Sequence, residues 1–259
     1  MNKIRIINSS RKTVSKVLNR FKMSRINKDN HFKKQQPTHF ISIPFCLGEV
    51  RERYLNFKKE ILEKYPDQPD VDEVLFQNPN KLHMTLGVMN LSNKTEQANA
   101  IEILKQCKAD VIDRIMVSQS FKMRICGVGV LNNDPMKARV VYGKVHDSEQ
   151  QSWQLLCDNI VDYFTKEGVM EKEYDQVKMH ITLMNTVFRR KSSVETIRKN
   201  RKPIDVSSII KEYENYEFGE TTVDAIHLSN MRAVSSSGYY KPEIILDLRQ
   251  NESELKHIE

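Results

Sequence analysis

A six-residue pattern occurs twice in this chain, as Lys81-Leu82-His83-Met84-Thr85-Leu86 and as Lys178-Met179-His180-Ile181-Thr182-Leu183. Both copies alternate in the manner of a strand, because successive side chains of an extended chain point to opposite faces. Each strand therefore sets a His and a Thr side by side on one face, with apolar neighbours on the other. With seven His in 259 residues and a similar number of Thr, chance supplies about 0.3 of a His-x-Thr. The two histidines stand 97 positions apart, and the segments around them recur at nearly the same offset.

Thr38–Phe45 alternates as a strand, and Glu49–Tyr65 carries Val50, Tyr54, Phe57, Ile61 and Tyr65 at helical spacing before Pro66 and Pro69 stop it. After the His83 strand, Asn93-x-x-Glu96 signals a helix start ahead of Ala98, Ile101, Leu104, Val111 and Ile115, and Phe121–Leu131 reads as a third strand. The second half repeats this order. Ala138–His146 is a strand, Ser148-x-x-Gln151 a capping box, and Trp153, Leu156, Ile160 and Phe164 mark a helix closed by Gly168. Behind the His180 strand, Asp205 caps a short helix with Val206, Ile209, Ile210 and Tyr213, and Thr221–Met231 and Glu243–Leu248 read as strands. Equivalent elements are offset by 97 to about 100 residues, which predicts an α+β fold of two related lobes. A pseudo-twofold axis would make the His-Thr pairs face each other across a cleft.

Charge and hydropathy set the boundaries. No apolar run approaches the ~18 residues of a membrane span, and Met1–Phe21 has scattered charges in place of an apolar signal segment, so an intracellular chain with no membrane contact is expected. Cys46, Cys107, Cys126 and Cys157 are far apart, which predicts reduced, buried thiols and no metal site. The net charge of +7 is uneven, since residues 1–36 alone hold eleven Lys/Arg against Asp29. That stretch reads as a basic tail with one amphipathic helix (Val14, Val17, Leu18, Phe21) and a polar linker. The folded domain is expected over residues 37–250, with a tail over 251–259. A second basic run, Arg189–Lys202, follows the His180 strand, and Arg189, Arg190 and Lys191 are candidates for contact with a phosphate or nucleic acid.

Two imidazoles flanking a phosphate can divide acid–base work. One takes a proton from an attacking hydroxyl or water, and the other gives one to the leaving oxygen. The unperturbed imidazole pKa of ~6.5 suits both roles, and a Thr hydroxyl on the same face can hold a non-bridging phosphate oxygen. His83, Thr85, His180 and Thr182 are therefore the candidate catalytic residues, in a mechanism that calls for neither metal nor cofactor.

On these two motifs the chain resembles the 2H phosphoesterase superfamily over about residues 38–250. The resemblance implies a duplicated, two-lobed α+β domain with antiparallel sheets around a central cleft, and phosphodiester chemistry on RNA or a nucleotide. The stretches Phe76–Thr85 and Val177–Arg190 resemble a branch of that superfamily found in a nuclear transcription-coactivator complex tied to alkylation-damage repair. This implies helicase and ubiquitin-binding subunits as partners and the nucleus, with the cytoplasm as a second location. That branch carries an RNA-binding KH module ahead of the domain. Its Gly-x-x-Gly loop has no counterpart here, where no two glycines are three apart. A catalytically idle scaffold that holds a nucleotide or a partner is the alternative, and an adaptor that binds nucleic acid through its basic tail is a third reading.

Overall fold

The structure is a computed structural model that describes residues 36–66, 68, 70–116, 122–147, 152–189 and 202–249. The tail helix over 11–21, the Ser148-x-x-Gln151 box, Pro69, and Arg190 and Lys191 lie outside the described residues. Eight strands form one antiparallel sheet: β1 (His39–Pro44), β2 (His83–Met89), β3 (Lys122–Val130), β4 (Val140–Asp147), β5 (His180–Asn185), β6 (Glu217–Thr222), β7 (Ala225–Val234) and β8 (Tyr240–Asp247). The α-helices among the described residues are α1 (Gly48–Lys64), α2 (Lys94–Cys107), α3 (Asp113–Ile115), α4 (Ser152–Lys166) and α5 (Ser207–Glu212), with short 3-10 and π-helical turns between elements.

Local sequence accounts for most of these boundaries. The Asn93 side chain accepts from the Glu96 amide, while Glu96 bonds back to the Ser92 amide and the Asn93 side chain, satisfying donors that the first helical turn leaves free. A π-helical stretch over Lys108–Ile112 joins α2 to α3, so Val111 and Ile115 follow a change of helical pitch within one continuous rod. Gly168 adopts φ +76, a left-handed conformation that costs a glycine nothing, and its amide closes the end of α4 on Thr165. The Asp205 carboxylate accepts from both the amide and the hydroxyl of Ser207, at the entry to α5. Cys107 and Cys157 are buried, and Cys46 and Cys126 are partly so.

Two expectations need correction. Thr221–Met231 is not one strand: β6 ends at Thr222 and β7 begins at Ala225. The chain leaves one sheet edge there and joins the sheet elsewhere, because β6 pairs with β3 whereas β7 pairs with β1. Nor do the sequence halves coincide with the structural halves. The strand order is β6-β3-β4-β5-β2-β1-β7-β8, so β3 from the first half pairs with β4, and β7 from the second half pairs with β1. The first half thus places β3 among the strands of the second, and the second places β7 and β8 beside those of the first. Hydrophobic periodicity reports which face of a strand is buried and carries no information about its neighbour.

The seam of the duplication is the β2–β5 pair, where Met84 stands opposite Ile181. These residues are equivalent under the 97-residue offset, so the pseudo-twofold axis passes between them. Met84 and Ile181 are fully buried and belong to one continuous core. Helix α4 packs on β2 and β4, α2 on α4 and β8, and α1 on β6. Phe57 anchors α1, its ring lying 5.2 to 5.4 Å from those of Tyr213, Tyr216 and Phe218.

Candidate active site

Strand alternation puts the apolar residues of β2 and β5 into the core, which leaves His83, Thr85, His180 and Thr182 on the opposite face. Around the Met84–Ile181 pair, antiparallel register sets His83 beside Thr182 and Thr85 beside His180. The four residues singled out from the sequence are thus one cluster about the pseudo-twofold axis. Outer strands extend the same two rows: Pro44 pairs with His83 and Ser42 with Thr85, while Tyr142 pairs with Thr182 and Lys144 with His180.

Both imidazoles are held in the same way. His83 Nδ1 lies 2.7 Å from the Lys81 carbonyl, and His180 Nδ1 lies 2.6 Å from the Lys178 carbonyl. A carbonyl only accepts, so Nδ1 carries the hydrogen in both rings, and the neutral ring keeps its lone pair on Nε2. The Thr85 hydroxyl lies 3.1 Å from His83 Nε2 and donates to it while that nitrogen is unprotonated. A base with a fixed tautomer is thus present twice.

The surroundings of the two rings differ. His83 is boxed by Phe40, Tyr240 and Tyr239 at 5.1, 5.4 and 6.4 Å between ring centroids. Lys81 Nζ sits 4.7 Å from the centre of the Tyr240 ring. Burial pushes the His83 pKa down from 6.5 to about 4; the Lys81 carbonyl works against that shift, and charge on His180 or Lys81 adds to it. His180 meets only Tyr142 among the described ring contacts, at 5.5 Å. Its pKa is also lowered, by burial first, with the Lys178 carbonyl opposing and the Lys178 charge contributing. Tyr142 in turn lies across Gly129, where a Cβ would come within 3.0 Å of the phenol.

The seam also breaks the twofold symmetry. On the His83–Thr182 side, Phe76 bridges to Met184 and the Gln77 amide donates to the Leu183 carbonyl at 2.8 Å. The buried Tyr54 hydroxyl locks this segment by donating to Gln77 O at 2.6 Å. On the Thr85–His180 side lies a groove of about 130 Å³ lined by Thr85, Met170, Tyr174, Lys178 and His180.

Arg189 is placed differently from these four candidate residues. Its guanidinium is 12% exposed, donates to the Asp70 carbonyl and lies 3.9 Å from the Asp72 carboxylate. Lys202, at the far end of the basic run, reaches Asp70 at 3.3 Å. Both described ends of that run are therefore tied to the loop at 70–72. Sequence reasoning missed Tyr142, Lys144, Phe40 and Tyr240. Alternation puts Tyr142 and Lys144 on one face of their strand, but only pairing with β5 shows that this is the face of His180.

A duplicated antiparallel sheet with two His-x-Thr strands at its seam is the fold of a 2H phosphoesterase. The family model described as the AKAP7 2′5′ RNA ligase-like domain matches residues 37–248, and the chain belongs to that family. It is 35% identical over 222 residues to activating signal cointegrator 1 complex subunit 1 of Mus musculus, an alignment that covers 81% of this chain and 62% of the relative. The chain thus spans less than two thirds of that relative's length. TT0787 of Thermus thermophilus has a similar fold, with a TM-score of 0.52 and 17% identity over 83% of this chain and 99% of that one. So does E. coli LigT, in a structure complexed with NADP+, at a TM-score of 0.50 and 13% identity over 83% and 100%. Among the described residues, no helix is long and apolar enough to cross a membrane.

Proposed function

We propose that the domain acts on an RNA or nucleotide phosphodiester, with His83 and His180 dividing acid–base catalysis and Thr85 and Thr182 holding the non-bridging oxygens. The observation that carries this reading is the pair of imidazoles on one sheet face, each with its tautomer set by the carbonyl two residues earlier. The drier ring, His83, is assigned as the base that takes a proton from the attacking water or hydroxyl. His180 then gives its proton to the leaving oxygen, and a phosphate between the rings favours its protonated form on binding.

The test is the pH dependence of kcat/KM, which reports the free enzyme's ionisations. His83 must be unprotonated, so the rate climbs as pH rises through about 4. His180 must be protonated, so the rate declines above its own pKa, which lies below 6.5. The bell therefore peaks on the acid side of neutrality. A plateau extending to pH 8 would exclude the two-histidine assignment. Nucleotide binding with no turnover at any pH would favour the idle scaffold.

The identity to a cointegrator complex subunit supports a further part of the proposal. This chain serves as a subunit of a nuclear transcription-coactivator complex, alongside helicase and ubiquitin-binding subunits, with a role in alkylation-damage repair. Co-purification of the tagged chain with those subunits from nuclear extract tests it, and recovery of the chain alone would count against it. Within the basic run, Arg190 and Lys191 are proposed as contacts for the flanking polyanion, together with Arg189 once it leaves Asp70 and Asp72.

A further inference from the structure

We propose that a cavity of about 780 Å³ beside the His83 half of the site holds the nucleoside attached to the phosphate, so that the substrate enters the cleft in one orientation. This rests on the phosphodiesterase reading above. The cavity opens between the start of α1 and the β7–β8 pair, and His227, Tyr239, Tyr240, Asn80, Arg51 and Ile245 line it. It is on the catalytic face: His227 pairs with Ser42, and Ser42 pairs with Thr85. Tyr240 forms the shared wall, lining the cavity while its ring lies 5.4 Å from that of His83. Asn80, three residues before His83, lines it too and accepts from the Arg51 guanidinium at 3.3 Å.

The lining suits a planar, polar-edged group. Tyrosine rings offer a stacking surface that any base can use, and the volume lies in the range of small-ligand sites, about 300–1,000 Å³. Polar groups stand beside these rings, since His227, Asn80 and Arg51 line the cavity too. A base edge carries the donors and acceptors to meet such groups. Across the axis, the groove beside His180 has about 130 Å³. The two ester arms of a phosphodiester seated on the axis thus meet unequal space, and the nucleoside goes to the His83 side.

The experiment is calorimetric titration of the full chain with inorganic phosphate and with 3′-AMP, neither of which is turned over by a phosphodiesterase. Wild type should bind 3′-AMP more tightly than phosphate. His227→Leu removes a polar residue from the cavity wall, and Ile245→Trp fills the cavity from a residue that is 52% exposed, where a larger side chain is compatible with folding. Each should weaken 3′-AMP about tenfold, a loss of about 1.4 kcal/mol, and leave phosphate within about twofold. If both variants keep wild-type affinity for 3′-AMP while phosphate binds, the cavity assignment is wrong and the phosphodiesterase reading stands. If wild type binds neither ligand, both fall.

Discussion

His83 and His180 share a tautomer because each sits two residues after a lysine whose carbonyl turns toward its Nδ1. Replacing either with Ala should lower kcat/KM by about 10²–10⁴-fold, the usual range for removal of an acid or base, with circular dichroism unchanged. The depressed pKa of His83 also bears on stability. The fold favours the neutral ring, so the stability is present above the unfolded pKa of 6.5 and is lost as pH falls toward about 4. His83→Asn should therefore show a shallower decline in urea midpoint between pH 6.5 and 4 than wild type. A decline of equal slope would assign the acid sensitivity to other groups.

At the scale of the element, strand and helix supports decide how well those side chains are held. Gly129 on β3 leaves room for the Tyr142 ring that packs against His180. Gly129→Ala brings a methyl within 3.0 Å of that ring, which must shift, and kcat should drop about tenfold with little change in melting temperature. Unchanged kcat would mean that Tyr142 does not position His180. Helix α1 depends on Phe57, fully buried among Tyr213, Tyr216 and Phe218. Phe57→Ala should cost about 3–5 kcal/mol in denaturant unfolding, the range for a large aromatic removed from a packed core.

For the whole molecule, the placement of β3 among the strands of the second half, and of β7 and β8 beside those of the first, ties the two halves of the sequence into one sheet. Unfolding of the domain should be a single cooperative transition, and expressing residues 37–131 alone should give no folded half. The basic tail is tested at this scale as well. Deleting residues 1–36 removes eleven cations. If they engage phosphates of a single strand, the log–log salt slope of RNA binding should flatten by ~0.7 for each phosphate they neutralise. An unchanged slope would remove the tail from the interface.

From sequence alone, the His-x-Thr strands, the helix that ends at Gly168, the Asn93–Glu96 cap and the duplication were all readable, because strand alternation, helical periodicity and cap chemistry are local and repeat with the chain. The four residues of the cluster were readable for the same reason. Tertiary structure alone decided which strand lies beside which. The break at Val223–Asp224, the crossing of β3, β7 and β8 to the other half, and the placement of Tyr142, Lys144 and Tyr240 beside the histidines all depend on pairing between distant segments. Arg189 shows the same limit: its charge is evident in the sequence, but its contacts with Asp70 and Asp72 span more than a hundred residues. Duplication can copy a short motif intact, whereas the aromatic box around one copy and the groove beside the other arise from long-range packing that the repeat does not encode.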